Sequence, residues 1–333
     1  MGVSFTRYGE SQNVSAEREV ILSAGTVGSA QLLLLSGVGP REQLERLQIP
    51  VVADLPVGHN LQDHVVLQMA PPVSMDENAG IPPYGLKDIQ RYDWNKTGTI
   101  SIPSGTEFIQ FLHTADNATD ADIPDVEIAP ISTSPASQLF KALMVELGLM
   151  PEAFDGIIGP TDGRLGFRAV VILNRPMSRG SITLRSADPD DHPDIDPRIL
   201  EHPDDVRRAA EGTRKFIDQV LGTEAMQSIG AKPWNVTFAP CAQAGPLWSQ
   251  DYIECLFRHA AHTMWHLCCT VAMGSHSEAV LDERLRVRGN VTNLRVADVS
   301  VMPDIVSGHT HAPAMMIGSK AAAMIIEDYG GQR

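Results

Sequence analysis

Apolar positions along the chain change period several times, and each change marks an element. Val3 and Phe5 alternate with polar neighbours, Gly9 to Asn13 supply turn chemistry, and Val20-Ile21-Leu22 is a short apolar run. This pattern predicts a β-hairpin feeding a buried strand. A helix is expected at once: "TVGSAQLLLLSGVGP" has small residues at Gly28 and Ser29, an apolar stretch Leu32 to Leu35, and a glycine stop at Gly37 with Pro40 beyond. Strand, glycine turn and helix make half of an α/β unit.

From about 65 to 165 the chain becomes rich in Pro and Asp, with short β-like runs such as "TEFIQFLH". An antiparallel sheet decorated with loops is the expectation. Ala169 to Leu173 reads as a buried strand and Ile182 to Leu184 as a second strand around a turn. A helix is predicted over Asp204 to Leu221, capped by Asp204 and Asp205. The last third returns to α/β character: "NLRVADVSVMP" is a strand running into a loop, and "HAPAMMIGSKAAAMIIEDYG" is a helix with Pro313 near its first turn. The first and last segments read as one nucleotide-type α/β domain interleaved with an antiparallel one. The boundaries that follow are 1–64, 65–260 and 261–333.

Composition narrows the function classes. At 333 residues and 43% hydrophobic content the chain can bury a substantial core, which excludes a disordered tail or a disulfide miniprotein. The 26 basic against 41 acidic residues give a net charge of −15, which opposes a phosphate backbone and excludes nucleic-acid binding. No run approaches the roughly 20 apolar residues of a membrane span, and the first segment lacks a secretory leader pattern, so a soluble, untargeted chain is expected. The sequon N-x-[ST] nevertheless occurs at Asn13, Asn95, Asn117, Asn235 and Asn290, against roughly one or two by average composition, which suggests a secretory ancestry. Cys241, Cys255, Cys268 and Cys269 show no CxxC spacing, so zinc and a multi-bridge scaffold are both disfavoured.

Four segments carry a family likeness: "AGTVGSAQLLLLSGVG" at 24–39, "LPVGHNLQDH" at 55–64, "NRPMSRGSITLRSADPDDHPDIDPRIL" at 174–200, and "MWHLCCTVAMG" with "LRVADVSVMPDIVSGHTHAP" within 264–313. In this order and spacing they resemble the C-terminal half of the glucose-methanol-choline (GMC) family of FAD-dependent alcohol oxidoreductases, and within it the fungal aryl-alcohol oxidase-type enzymes. The resemblance implies a partial, Rossmann-like FAD-binding domain of α/β type interleaved with an antiparallel β substrate domain. It implies FAD as hydride acceptor and a small alcohol as substrate. The G-x-G-x-x-G turn that cradles the FAD pyrophosphate in the family does not occur here, since "SGVGPRE" lacks the third glycine. FAD binding is therefore expected to be weakened or lost in the chain alone, or completed by a second chain or a homodimer.

By the same resemblance His266 is the general base that takes the hydroxyl proton, and His309 orients the hydroxyl and shares that proton. A single histidine is ordinarily a satisfied loop or core residue; two at both family positions favour a catalytic pair. Trp265, Ala297, Asp298, Gly308 and Thr310 fall where the family approaches the flavin, although an isolated Asp at Asp298 would ordinarily be a cap. The helix beginning near Ala312 offers free N–H groups to negative charge on the reduced ring.

Other candidates point to structure. His311 lies beside His309, but nothing completes a ligand set, and no metal is assigned. His59, His64, His259, His262 and His276 have no comparable support, and His64 closes the "NLQDH" segment, whose family role is architectural. Arg175, Arg179 and Arg185 read as structural, and Asp116 to Asp125 as a solvated loop. Cys269 stands where the family has glycine, which means either a repacked pocket or an altered substrate or catalysis, and buried thiols are expected at Cys268 and Cys269. Two further functions remain open: flavin-free acid–base chemistry such as lyase, dehydratase or isomerase action, and a non-catalytic binding protein.

Overall fold

The N-terminal hairpin forms as the alternation predicts, with Gly2–Arg7 antiparallel to Glu10–Ser15. It turns at Tyr8 and Gly9, both at positive φ (55° and 82°), rather than across Gly9 to Asn13. A computed structural model provides the coordinates and describes residues 2–67, 72–76, 86–98, 101, 108–114, 123–131, 138–146, 148–161 and 166–330. Most of the Asp116 to Asp125 stretch and the sequon at Asn117 lie outside the described residues. Among the described residues no helix is long and apolar enough to cross a membrane.

The chain divides into two compact units. The first comprises Met1–Asp63, Ser178–Ile199 and Trp265–Arg333. Its centre is the strand Val20–Leu22 paired in parallel with Leu294–Val296. Ile21 is 43% exposed, so the run is open on one face instead of fully buried. The helix Gly25–Leu35 follows and buries Ala30, Leu33 and Leu34 in a core with Val271, Val296 and Val301. Gly37 ends it at φ 82°, where a Cβ would lie 2.2 Å from the Pro50 carbonyl oxygen, so only glycine fits this stop. The C-terminal helix His311–Tyr329 buries Ile317 and Ala321 and leaves Met315, Met316 and Ile326 exposed.

Segment 178–199 departs from the sequence boundaries, which place it inside 65–260. Its strand Gly180–Thr183 pairs with Asp194–Asp196 on one side and His59–Leu61 on the other, which fixes it to the first unit. The two strands read as flanking one turn therefore belong to different sheets. Pairing partners so distant in sequence leave no local signal.

The second unit comprises His64–Met177 and Leu200–Met264. Its described strands form one seven-stranded sheet, antiparallel throughout, as expected. Gly166–Leu173 is central: Val126–Ile131 runs along one edge, while Val65–Leu67 and Pro72–Ser74 share the other. The helix Pro203–Lys215 packs on this sheet, and Gly212 permits the approach, since a Cβ there would lie 2.7 Å from Val126 Cγ1. It is not capped by Asp204 or Asp205. The His202 ring accepts the Asp204 N–H (3.3 Å), Pro203 opens the first turn, and Asp205 is instead buried as an acceptor for the Met177 N–H and Arg208. A π-helical turn, Phe216–Leu221, continues the helix to the predicted end.

Candidate functional site

The two histidines singled out by sequence meet inside the first unit. Their rings stand edge to face, with centroids 5.0 Å apart and planes at 80°. His266 is half-buried and His309 exposed.

Short polar side chains fix the loop that carries His266. Asp63, 5% exposed, accepts the His266 N–H at 2.9 Å. Thr26, in the first turn of helix Gly25–Leu35, donates its hydroxyl to the Leu267 carbonyl (2.6 Å), and Thr270 donates back to the Thr26 carbonyl (2.8 Å). Gln62 and Cys268 exchange backbone hydrogen bonds at 3.0 and 3.3 Å. The Gln62 side chain accepts the Ile305 N–H and donates to the Pro303 carbonyl, to which Asn60 also donates. Residues 60–63 thus tie the loop that carries His266 to the loop leading to His309. This is the architectural work expected of "NLQDH", but the part played by Asp63 had no signal beyond its place in that segment.

Asp298 holds the other side. One carboxylate oxygen accepts from the Gly25 N–H (3.0 Å) and the Ser29 hydroxyl (2.5 Å), and the other caps the short turn Val299–Val301 through the Ser300 N–H (2.8 Å). The carboxylate is therefore a clamp between strand end and helix start. Ala297 donates to the Leu22 carbonyl and accepts the Ser23 hydroxyl, which continues the same seam.

The cysteines differ from the buried thiols expected. Cys268 and Cys269 are buried and joined as a vicinal disulfide, and Cys241 is bonded to Cys255 in the second unit. Cys269 has φ 79°, a left-handed backbone that favours glycine, the residue that the sequence resemblance leads one to expect there. Trp265, at φ 56°, is 46% exposed beside His266. Gly308, at φ 155°, has nothing within 4 Å of where a Cβ would stand. No side chain caps helix His311–Tyr329 at Thr310. Its first N–H groups can therefore serve an external acceptor.

Two of the three arginines read as structural make ion pairs: Arg179 with Asp304, and Arg185 through two nitrogens with Asp194. A cavity of about 410 Å³ in the first unit is lined by His59, Asn60, Cys269, His276 and Asp304 among others, but not by His266 or His309. Among the described residues one group has metal-ligand spacing, Cys241, Cys255 and His259 in the second unit.

The chain is similar to known proteins along its length. Residues 1–66 and 176–318 match the N- and C-terminal sequence profiles described as GMC oxidoreductase. Ecdysone oxidase of Spodoptera littoralis is 36% identical over 330 residues, covering 99% of this chain and 53% of the relative. An FAD-dependent oxidoreductase from Chaetomium thermophilum superposes with a TM-score of 0.74 at 26% identity, over 98% of this chain and 59% of that one. A fungal aryl-alcohol oxidase superposes with a TM-score of 0.69 at 26% identity, over 97% and 56%. The chain spans little more than half the length of these relatives. The chain belongs to the GMC oxidoreductase family.

Proposed function

We propose that this chain provides the substrate-side half of an FAD-dependent oxidoreductase that converts a primary or secondary alcohol, aromatic or allylic among them, to a carbonyl. The observation that carries this reading is the meeting of His266 and His309 at 5.0 Å on a loop system pinned from behind. His266 takes the hydroxyl proton, and His309 orients the hydroxyl and shares the charge. Bound FAD supplies the hydride acceptor. Residues of this chain fit its ring end. Gly308 leaves open space, Trp265 and Thr310 flank the pair, and the uncapped start of helix His311–Tyr329 favours negative charge. Ala297 and Asp298 support that wall through the clamp they make with Leu22, Ser23 and Gly25.

Among the described residues no such place is found for the ADP end. The Gly25 N–H at the start of helix Gly25–Leu35 already serves Asp298 and the Ala24 N–H serves the Ser29 hydroxyl, so two donors of that helix end are taken. In our reading the ADP part is held by residues outside this chain, on a longer form or a second polypeptide.

Visible absorbance of the purified chain, before and after FAD is added, tests the cofactor, and alcohol oxidation with a soluble electron acceptor tests the reaction. His266→Ala should lower kcat by roughly 10²- to 10⁴-fold, the ordinary contribution of a positioned base. Unchanged turnover would remove the base assignment. A folded chain that takes up no flavin even when a polypeptide supplying the ADP-binding half is added would transfer the histidine pair to flavin-free acid–base chemistry or to binding.

A further inference from the structure

In the second unit a cysteine pair and a histidine converge. Cys241 ends the short turn Ala239–Cys241 and is fully buried. Cys255 and His259 lie one turn apart on helix Gln250–Ala260, so both face Cys241. His259 Nδ1 lies 3.9 Å from Cys241 Sγ and 3.6 Å from Cys255 Sγ, and the Phe238 ring holds the imidazole edge to face with centroids 6.1 Å apart. Cys241 and Cys255 are joined as a disulfide, and Nδ1 donates to the Cys255 carbonyl at 2.9 Å.

A crosslink by itself requires no third donor. Tetrahedral zinc, with Zn–S about 2.3 Å and Zn–N about 2.0–2.1 Å, sets S···N edges of about 3.6 Å and an S···S edge of about 3.8 Å. Both sulfur–nitrogen distances here are already close to that edge. Only the two sulfurs must separate, and breaking their bond allows it. His259 is exposed and Cys255 half-buried, so a reductant and an ion can both arrive from solvent.

We propose that Cys241, Cys255 and His259 form a redox-gated metal site, a crosslink when oxidised and a ligand set for a soft divalent cation of the zinc class when reduced. A dithiol reductant gives up two electrons and two protons, becoming a disulfide while Cys241 and Cys255 become thiols. The cation then displaces one proton from each thiol. The imidazole proton moves from Nδ1 to Nε2, so His259 ligates as a neutral ring through Nδ1, and water completes four-coordination. Thiolate and imidazole donors select zinc, cadmium or cobalt over magnesium or calcium.

The test is cobalt titration of the full chain, reduced with a phosphine and handled without oxygen. The reduced chain should bind one Co²⁺ with the thiolate charge-transfer and strong visible bands of a tetrahedral site, and the unreduced chain none. His259→Ala should weaken binding at least tenfold. The Cys241→Ser/Cys255→Ser double variant, which retains Cys268 and Cys269, should give no band. Alkylation of the reduced wild-type chain, mapped by mass spectrometry, gives a readout independent of how the variants fold. Zinc should protect Cys241 and Cys255 and leave the rate at Cys268 and Cys269 unchanged. Absence of the bands in the reduced chain, equal bands in folded His259→Ala, or failure of zinc to protect the pair would each overturn the site.

Discussion

The two units hold their candidate sites by different means. In the first, the loop with His266 has almost no sheet around it; Thr26, Asp63, Thr270 and Asp298 reach from side chain to neighbouring chain segments and fix it one hydrogen bond at a time. In the second, a seven-stranded antiparallel ladder supplies the frame, a helix packed on it carries Asp205 and Arg208, and the helix Gln250–Ala260 packed on that helix carries Cys255 and His259 of the cysteine–histidine corner. A ladder satisfies backbone groups regularly, so polar side chains there are released for a few concentrated tasks. A loop without a ladder must find a partner for each exposed N–H and carbonyl, and many short polar residues share that work.

This contrast predicts where single substitutions cost most. Asp205 has a fully buried side chain, accepts the Met177 N–H at 2.6 Å and pairs with Arg208 at 3.0 Å. Asp205→Ala leaves the Arg208 guanidinium, itself largely buried, without one of its anions. It should cost roughly 3–5 kcal/mol, as removal of one partner of a buried ion pair does. The loss should be read in the urea midpoint. A cost under about 1 kcal/mol would show that this polar task is not concentrated after all.

Asp298→Ala removes acceptors from Gly25, Ser29 and Ser300 at once, but these are neutral donors in a half-buried seam. About 2–3 kcal/mol is expected, since each charge-assisted bond is partly replaced by water. Because the clamp also sets the start of helix Gly25–Leu35, where Thr26 holds the Leu267 carbonyl, the variant should disturb the His266 loop too. Hydrogen exchange should therefore rise at residues 25–29 and 266–270 together. A rise confined to one segment would separate the clamp from the site.

These differences also explain what the sequence revealed. The hairpin, the helix Gly25–Leu35 and the helix His311–Tyr329 were legible because alternation, glycine stops and proline positions are local. His266 and His309 were legible only through family likeness, since nothing in their spacing states that their rings meet. The placement of 178–199 was hidden because strand Gly180–Thr183 finds His59–Leu61 across a long stretch of chain. The cysteine pairs were hidden for the same reason at Cys241 and Cys255. At Cys268 and Cys269 the adjacent spacing offered no recognised pattern. Asp298 was read toward the cofactor, and its work as a clamp was hidden because two of its three donors, Gly25 and Ser29, come from a segment remote in sequence, Ser300 alone being local.

The smallest expected effect concerns the C-terminal helix of the first unit, which charge ties to the strand Leu294–Val296. Arg295, 3% exposed on its side chain, pairs with Glu19 at 2.7 Å and with Asp328 of the C-terminal helix, which Arg284 also reaches at 2.9 Å, beside Glu327. The hydrogen bond from Arg295, aided by the charges of Arg284 and Arg295, holds the Asp328 carboxyl below its ordinary range. A carboxyl whose pKa is lower in the folded than in the unfolded chain adds stability above the unfolded value of about 3.9, and loses it as pH falls through the folded value. The wild-type urea midpoint should therefore exceed that of Asp328→Asn by a constant margin at neutral pH, and the margin should close below about pH 4. Comparing the two proteins at each pH cancels the other carboxylates they share. A margin that stayed constant through the acid range would mean that Asp328 acts by shape and hydrogen bonding alone, and that the charge network adds nothing to holding the C-terminal helix on the strand Leu294–Val296.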